Sequence, residues 1–384
     1  MSMAPTFWSG SWGSGRGTQR QEGETPMTDL FAPVSFIRGP AMKNRLMLAP
    51  LTNLQSHPDG TLSHDEHRWL TLRAQGGFGL TMTAAAHVQR IGQGFPGQVG
   101  IFSDIHIPGL ARLAEDIRKA GSLAVVQLHH AGMRSPAALI GEAPVCPSED
   151  ADTGSRALTL DEVHSLRDDF IAAAVRADKA GFDGVEIHGA HGYVLCQFLS
   201  AETNRRTDDY GGSPENRARL ILEIIDGVRA ACRADFNLGL RLSPERFGLS
   251  LMEIRDLAGR LFSEARIDYL DMSLWDCFKE PVEEAHRGRT LMSYFTDLPR
   301  GDVRLGVAGK IMCAADARAM LDAGADFVLL GRAAILHHDW PQKARANPDF
   351  RPVSLPVTRA HLEAEGLGPV FVNYMATWAG FVDG

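Results

Sequence analysis

Paired cysteines, long apolar runs and blocks of like charge are all missing from this 384-residue sequence. Its five cysteines, Cys146, Cys196, Cys232, Cys277 and Cys313, stand 36 to 50 residues apart with no C-x-x-C pair. That argues against structural zinc and against a cysteine-held iron–sulfur cluster, and suits reduced cytosolic thiols. No stretch of about 18 apolar residues exists to cross a bilayer, and the N-terminus lacks the basic-then-apolar order of a secretory signal. With 39 basic against 47 acidic residues, a net charge of −8 and no run of five like charges, nucleic acid is not an expected partner. A cytoplasmic protein with no membrane partner is the expectation.

What is present is a globular makeup, 44% hydrophobic and 22% charged, long enough to bury a large core. Residues 1–26, with "WSGSWGSGRGTQRQEGE", lack periodicity and read as a disordered extension, so that Met27 could be the true start. From residue 43 a unit recurs: a short apolar run, a polar loop, then a helical period closed by Ala-Gly or Gly-Gly. Eight strands are predicted, at 45–52, 80–88, 123–130, 183–189, 237–244, 268–275, 303–310 and 326–333. Between them lie helix patterns such as "PGLARLAEDIRKAG", "TLDEVHSLRDDFIAAAVRADKAG" and "AADARAMLDAG". Near-continuous apolar strands alternating with helices imply a parallel sheet covered on its faces, and eight units imply an α/β fold of the (β/α)8 TIM-barrel type, one domain over 27–360. A doubly wound open sheet is the alternative. Residues 361–384 hold the apolar, aromatic "PVFVNYMATWAGFV", expected to pack on the barrel or on a partner subunit. A homo-oligomer stays open, since such barrels often associate.

A barrel places its chemistry where strands end and loops begin. Those places hold Thr52, Ala85, Gln127 with His129 and His130, His188 with His191 and Tyr193, Arg241, Trp275, Gly309 with Lys310, and Gly331 with Arg332. The last two suit a phosphate: "AGK" and "LGRA" offer backbone N–H groups, and Arg332 adds a bidentate fork. The stretch "GQGFPG" (92–97) formally matches a dinucleotide fingerprint, but Pro96 and the "QVGIFSD" segment after it do not open a helix; it reads as the loop after strand two. "GVAGK" lacks the spacing and the Ser/Thr of a Walker loop.

The pair His188 and His191 admits three readings: buried, hydrogen-bonded histidines; a metal site; or two N–H donors converging on one substrate oxygen with Tyr193 as proton donor. A metal needs a third ligand, and strand alternation is taken to put Glu186 on the opposite side; His129 and His130 keep the metal reading open. No metal is the expectation.

Together "MKNRLMLAPLT", "VVQLHHAG", "GFDGVEIHGAHGYVLCQFLS", "NRRTDDYGGSPENRARL", "LRLSPERFG" and "DFVLLGRA", in this order from about residue 29 to 345, resemble the old yellow enzyme family. The resemblance implies a barrel holding non-covalent FMN, reduced by NADH or NADPH in the same cup. It implies that Pro50, Leu51 and Thr52 meet the flavin, Thr52 at the C4 carbonyl, and that the Ala85 backbone meets its edge. Gln127 would read the pyrimidine edge and Arg241 would stand beside N1 and the C2 carbonyl, while Gly309, Gly331 and Arg332 take the phosphate. His188 and His191 then hold a substrate carbonyl, hydride passes from flavin N5 to the β carbon of an electron-poor alkene, and Tyr193 protonates the α carbon. Phe102 and Trp275 shape the substrate side. Three positions depart from the family: Met133 then Arg134 where an Arg is usual one residue earlier, Phe102 for a frequent Trp, and Thr52 for the Cys of one branch. Two rival functions are a metal-dependent barrel lyase using His129, His130, His188 and His191, and a flavin-binding protein without alkene turnover.

Overall fold

The computed structural model describes residues 29–383; the expectations for residues 1–26 and for Met27 lie outside the described residues. Eight strands close into a barrel: β1 Leu46–Leu48, β2 Leu80–His87, β3 Leu123–His129, β4 Gly184–Gly189, β5 Asn237–Leu242, β6 Tyr269–Ser273, β7 Arg304–Ala308 and β8 Phe327–Leu330. Every neighbouring pair is parallel, and β1 pairs with both β2 and β8, so no barrel edge is left open. All eight predicted strands are present. Most ran a few residues too far at the C-terminal end, because those residues leave the sheet to form the mouth.

Helices follow the strands as the apolar periods require: α1 His64–Gln75, α2 Ile107–Lys119, α3 Leu160–Lys179, α4 Pro214–Ala231, α5 Leu251–Glu264 and α6 Ala314–Asp322. In α3 the buried residues Val163, Leu166, Phe170, Ala173, Ala174 and Ala177 step by three and four, which gives one stripe against the sheet. Its start is fixed by a capping box in which Thr159 and Glu162 satisfy each other's backbone N–H groups. Between β6 and β7 a long loop carries only a short α-helix, Ser293–Thr296, and the turn Glu284–His286. The segment "GQGFPG" is a loop after β2, as its composition requires.

Two apolar layers result. Outward-facing Leu48, Val126, Ile187, Leu240 and Leu270 join the helices in one continuous shell. Inward-facing Met47, Leu80, Met82, Val125, Tyr269, Phe327 and Leu329 fill the lower barrel, where Val34 and Met42 of an antiparallel bridge close the floor. Two strand glycines make room for the aromatic rings there. A Cβ on Gly239 would stand 2.0 Å from Tyr269 Cζ, and one on Gly306 would stand 2.2 Å from Phe327 Cε2.

The C-terminal segment packs on α1: the Phe371 ring meets Trp69 edge to face at 4.9 Å, and Gly368 N–H donates to Gln55 Oε1 at 2.9 Å. No helix among the described residues is long and apolar enough to cross a membrane.

Because Tyr269 occupies the space Gly239 leaves, Gly239→Ala is expected to overpack the barrel and lower unfolding free energy by about 1–3 kcal/mol. Urea denaturation measures this; an unchanged midpoint would show that the ring has free space.

Candidate active site

Backbone strain gathers at one end of the barrel. Seven non-glycine residues among those described have positive φ, and six of them lie in loops after strands: Leu54 (60°), His191 (62°), Arg246 (69°), Phe247 (57°), Trp275 (63°) and Lys310 (53°). Bulky residues adopt this region only where surrounding structure holds them, and such residues cluster at functional sites.

The loop after β4 shows how the holding is done. His191 and Gly192 are both left-handed, at 62° and 71°, and the turn is pinned at two points. His191 N–H donates to Ser243 Oγ at 3.0 Å, and Arg134 Nη1 donates to His191 O at 2.5 Å. Arg134 also lies over the Tyr193 ring, 4.6 Å from its centroid. Arg134, which follows Met133, thus reaches this turn by both its hydrogen bond and its ring contact.

The imidazoles form a directed chain. Ala190 N–H donates to His188 Nδ1 at 3.2 Å, so the His188 proton sits on Nε2. Nε2 lies 3.2 Å from His191 Nδ1, which must then accept, and His191 Nε2–H donates to Ser273 Oγ at 2.7 Å. Burial, then neighbouring His191 and Arg241, hold His188 well below the ordinary imidazole range. Burial and Arg241 do the same to His191, so both rings are neutral donors. Tyr193 stands beside them, 5.2 Å from the His188 ring and 4.4 Å from His129.

Glu186 is not on the opposite side of β4. Residues two apart share a strand face, and Glu186 points into the barrel one layer below His188, with Gln127 Nε2 donating to its Oε1 at 2.8 Å. In register across the sheet, His188 pairs with Arg241 and Arg241 with Asp271. Arg241 Nε lies 3.0 Å from Asp271 Oδ2 as a buried ion pair. Among the described residues, the convergent trios of potential metal ligands are His337, His361 and Glu365, and His338, Asp339 and Glu365; His129, His130, His188 and His191 form no such trio. His130 turns away, its Nδ1 accepting from Gly132 N–H at 3.0 Å.

Around the mouth, Pro50, Leu51, Thr52, Ala85, Gly309 and Gly331 are half-buried while Gln127 and Arg241 are buried. Ala85 alone in β2 is not fully covered. A Cβ on Gly309 would stand 2.9 Å from Asp276 N, so only glycine lets the β6 loop pass there. Gly331 opens the short helix Arg332–Leu336, and the Arg332 guanidinium is exposed, with no ion pair or hydrogen bond among the described residues. Lys310 is taken by Asp276, 2.9 Å away. Trp275 is exposed, 6.2 Å from the His191 ring, with Arg246 over its face at 4.9 Å. Phe102 packs on His87 and His106, 4.9 and 4.6 Å between centroids, rather than on the histidine pair. Ser273, Ser243, Asp271 and Tyr269 were missed in the sequence; alternation along β4 or β5 does not reach β6, and register across the sheet is what brings Asp271 beside Arg241 and Tyr269 beside Gly239.

A closed parallel barrel with small residues around its mouth, a buried guanidinium and neutral donors opposite is the frame of a cofactor-holding barrel enzyme. The profile of the NADH:flavin oxidoreductase / NADH oxidase family matches residues 29–349, and the chain belongs to that family. A probable NADH-dependent flavin oxidoreductase of Bacillus subtilis, YqiG, is 39% identical over 327 residues, covering 82% of this chain and 87% of its own. Among solved structures, the old yellow enzyme homologue of Zymomonas mobilis superposes with a TM-score of 0.75 at 29% identity, covering 90% of this chain and 99% of its own. Morphinone reductase in complex with tetrahydroNAD gives 0.74 at 29% identity, covering 90% and 97%. The chain is thus an NAD(P)H-dependent flavin oxidoreductase with FMN as cofactor. The site fits that group: a cation and an amide sit at the floor, and open backbone lines the rim.

The hydrogen-bond chain sets both imidazoles as Nε2–H tautomers, and their lowered affinity for protons keeps them neutral well below pH 6.5. Nitrogen-15 spectra of histidine-labelled protein should show these two tautomers unchanged between about pH 8 and 6. Titration of either ring in that interval would contradict the geometry.

Proposed function

We propose that this enzyme reduces the C=C bond of α,β-unsaturated carbonyl compounds, with His188 and His191 holding the carbonyl oxygen and Tyr193 supplying the proton. The observation that carries this reading is a pair of neutral imidazoles beside a phenol, on the mouth of a flavin barrel. Pro50, Leu51, Thr52, Ala85, Gln127 and Arg241 would hold the ring of FMN, and Gly309, Gly331 and Arg332 its phosphate; bound FMN supplies the hydride.

The remaining work falls to side chains. A carbonyl oxygen arriving between the rings takes the His188 Nε2–H now spent on His191, exchanging one hydrogen bond for another at little net cost. His191 offers its own Nε2–H in place of the bond to Ser273. Two fixed donors withdraw electrons from the conjugated C=C and stabilise charge that develops on the oxygen as hydride adds. Neutral imidazoles polarise without themselves giving up a proton readily. Tyr193 then places a proton on the α carbon, its ring fixed between His129 and the Arg134 guanidinium. Trp275, beside His191, bounds the room available to the substrate.

Yellow protein that NADH or NADPH bleaches without oxygen and 2-cyclohexenone recolours would support this reading. Protein that bleaches and stays bleached with every enone tried would favour flavin binding without alkene turnover. Tyr193→Phe should slow recolouring by on the order of 10²-fold or more, as loss of a general acid does, with bleaching nearly unchanged. Equal loss in both half-reactions would leave Tyr193 a structural part. The His188→Ala, His191→Ala double variant should retain FMN and lose enone affinity, read by the flavin absorbance change on binding.

A further inference from the structure

Beneath the cup, two carboxylates share one cation. Glu186 of β4 and Asp271 of β6 are fully buried. The groups facing Glu186 are Gln127 from β3, Arg241 from β5, and Tyr269 and Asp271 from β6, with His188 one layer above on its own strand. Asp268, at the foot of β6, is already matched by Arg38 at 3.0 Å and Arg229 at 2.7 Å. Arg241 is the cation left for the pair.

Hydrogen bonding is incomplete there too. Glu186 Oε1 accepts from Gln127, but Glu186 Oε2, both Asp271 oxygens and the Tyr269 hydroxyl lack a partner of good geometry. Asp271 Oδ2 has only its ion pair with Arg241, and the Tyr269 hydroxyl only the neighbouring Glu186, so polar atoms left short of well-formed hydrogen bonds in one dry place call for an explanation. With both carboxylates ionised, one negative charge would stand unmatched in the barrel, which burial strongly penalises. Burial indeed pushes both carboxyls up, Glu186 further through Asp271, while Arg241 pulls both down.

We propose that Glu186 and Asp271 hold one proton between them while the cup side of Arg241 is neutral, and take up a second when negative charge is placed there. The pair is a buried proton reservoir that balances flavin reduction. A hydride brings one proton and two electrons to the flavin and leaves one negative charge at the edge Arg241 faces. One proton from solvent joins the carboxylates, and the local charge returns to its starting value. This rests on the flavin edge lying at Arg241, as proposed above. Glu186 and Asp271 touch neither substrate nor cofactor in this account; they act through Arg241.

The test is the flavin midpoint potential of the holoenzyme against pH, followed by absorbance between about pH 6.5 and 7.5, where the resting pair holds one proton. Reduction to the anionic flavin alone consumes one proton per two electrons. The reservoir predicts two, hence a slope twice as steep, falling to the one-proton slope in the Glu186→Gln, Asp271→Asn double variant. If that variant does not hold FMN, the wild-type slope decides together with the absorbance of the reduced flavin: a two-proton slope with an anionic reduced flavin keeps the second proton on the protein, and a neutral reduced flavin overturns the proposal. A one-proton slope in the wild type, or a two-proton slope that survives in the variant, overturns the proposal while leaving the flavin and enone readings intact. A colourless preparation would instead overturn the flavin assignment, before any titration.

Discussion

A guanidinium buried inside the barrel, that of Arg241, is the constraint around which the site is arranged. The closed sheet keeps the layer around Arg241, Asp271 and Glu186 buried, so a charge placed there acts over its neighbours with little screening. Directly in register, Asp271 answers it with an ion pair and His188 answers it by staying neutral. Remove the cation and the two carboxylates below lose the group that lets even one of them ionise. Remove the carboxylates and a bare positive charge stands under the cup. The same residue thus sets the charge state of the layer beneath it and of the donors beside it.

Strain is the second device, and it works on direction rather than charge. His191 cannot aim its ring at Ser273 from an ordinary strand-to-helix turn; a left-handed residue bends the chain sharply enough, and Gly192 continues it. A Cβ on Gly192 would stand 2.8 Å from the Phe247 ring, itself in a left-handed residue. The loops after β4 and β5 therefore lock each other, and the donors are fixed before any ligand arrives, which is where electrostatic catalysis gains most. Trp275 repeats the pattern across the mouth, held by the Arg246 guanidinium.

Most of the barrel was legible because apolar runs and helical periods speak directly to burial, and the strand ends named the mouth residues without any side-chain geometry. The polar interior was not legible in the same way. Glu186 was assigned to the wrong face although alternation from His188 puts it inside, since a carboxylate in a dry barrel defies the expectation that charges stay out. Asp271 and Tyr269 read as members of an apolar strand, "DYLDMSLW", and only register with Arg241 and Gly239 gives them a role. Ser273 and Ser243 carry no sequence signal, because a serine becomes an acceptor or a clamp only through what folds against it. The contacts of Phe102 with His87 and His106 depend on a loop path that composition does not encode.

The C-terminal segment acts on the site from behind. Thr52 sits in a turn with three of its next four residues fastened: Asn53 Nδ2 donates to Glu66 Oε1 at 3.1 Å, Ser56 Oγ bonds Glu66 Oε2, and Gln55 Oε1 accepts Gly368 N–H at 2.9 Å. Glu66 is fully buried in α1, so its carboxylate needs those donors, and the turn needs its acceptor. Gly368 comes close enough that a Cβ would stand 2.5 Å from Asp65 Oδ2 and 2.7 Å from Gln55 Oε1. Phe371 then seats on Trp69 and completes the clamp on α1. The aromatic tail, read from sequence as packing on the barrel or on a partner subunit, lies in the fold against α1 and braces the turn that carries Thr52.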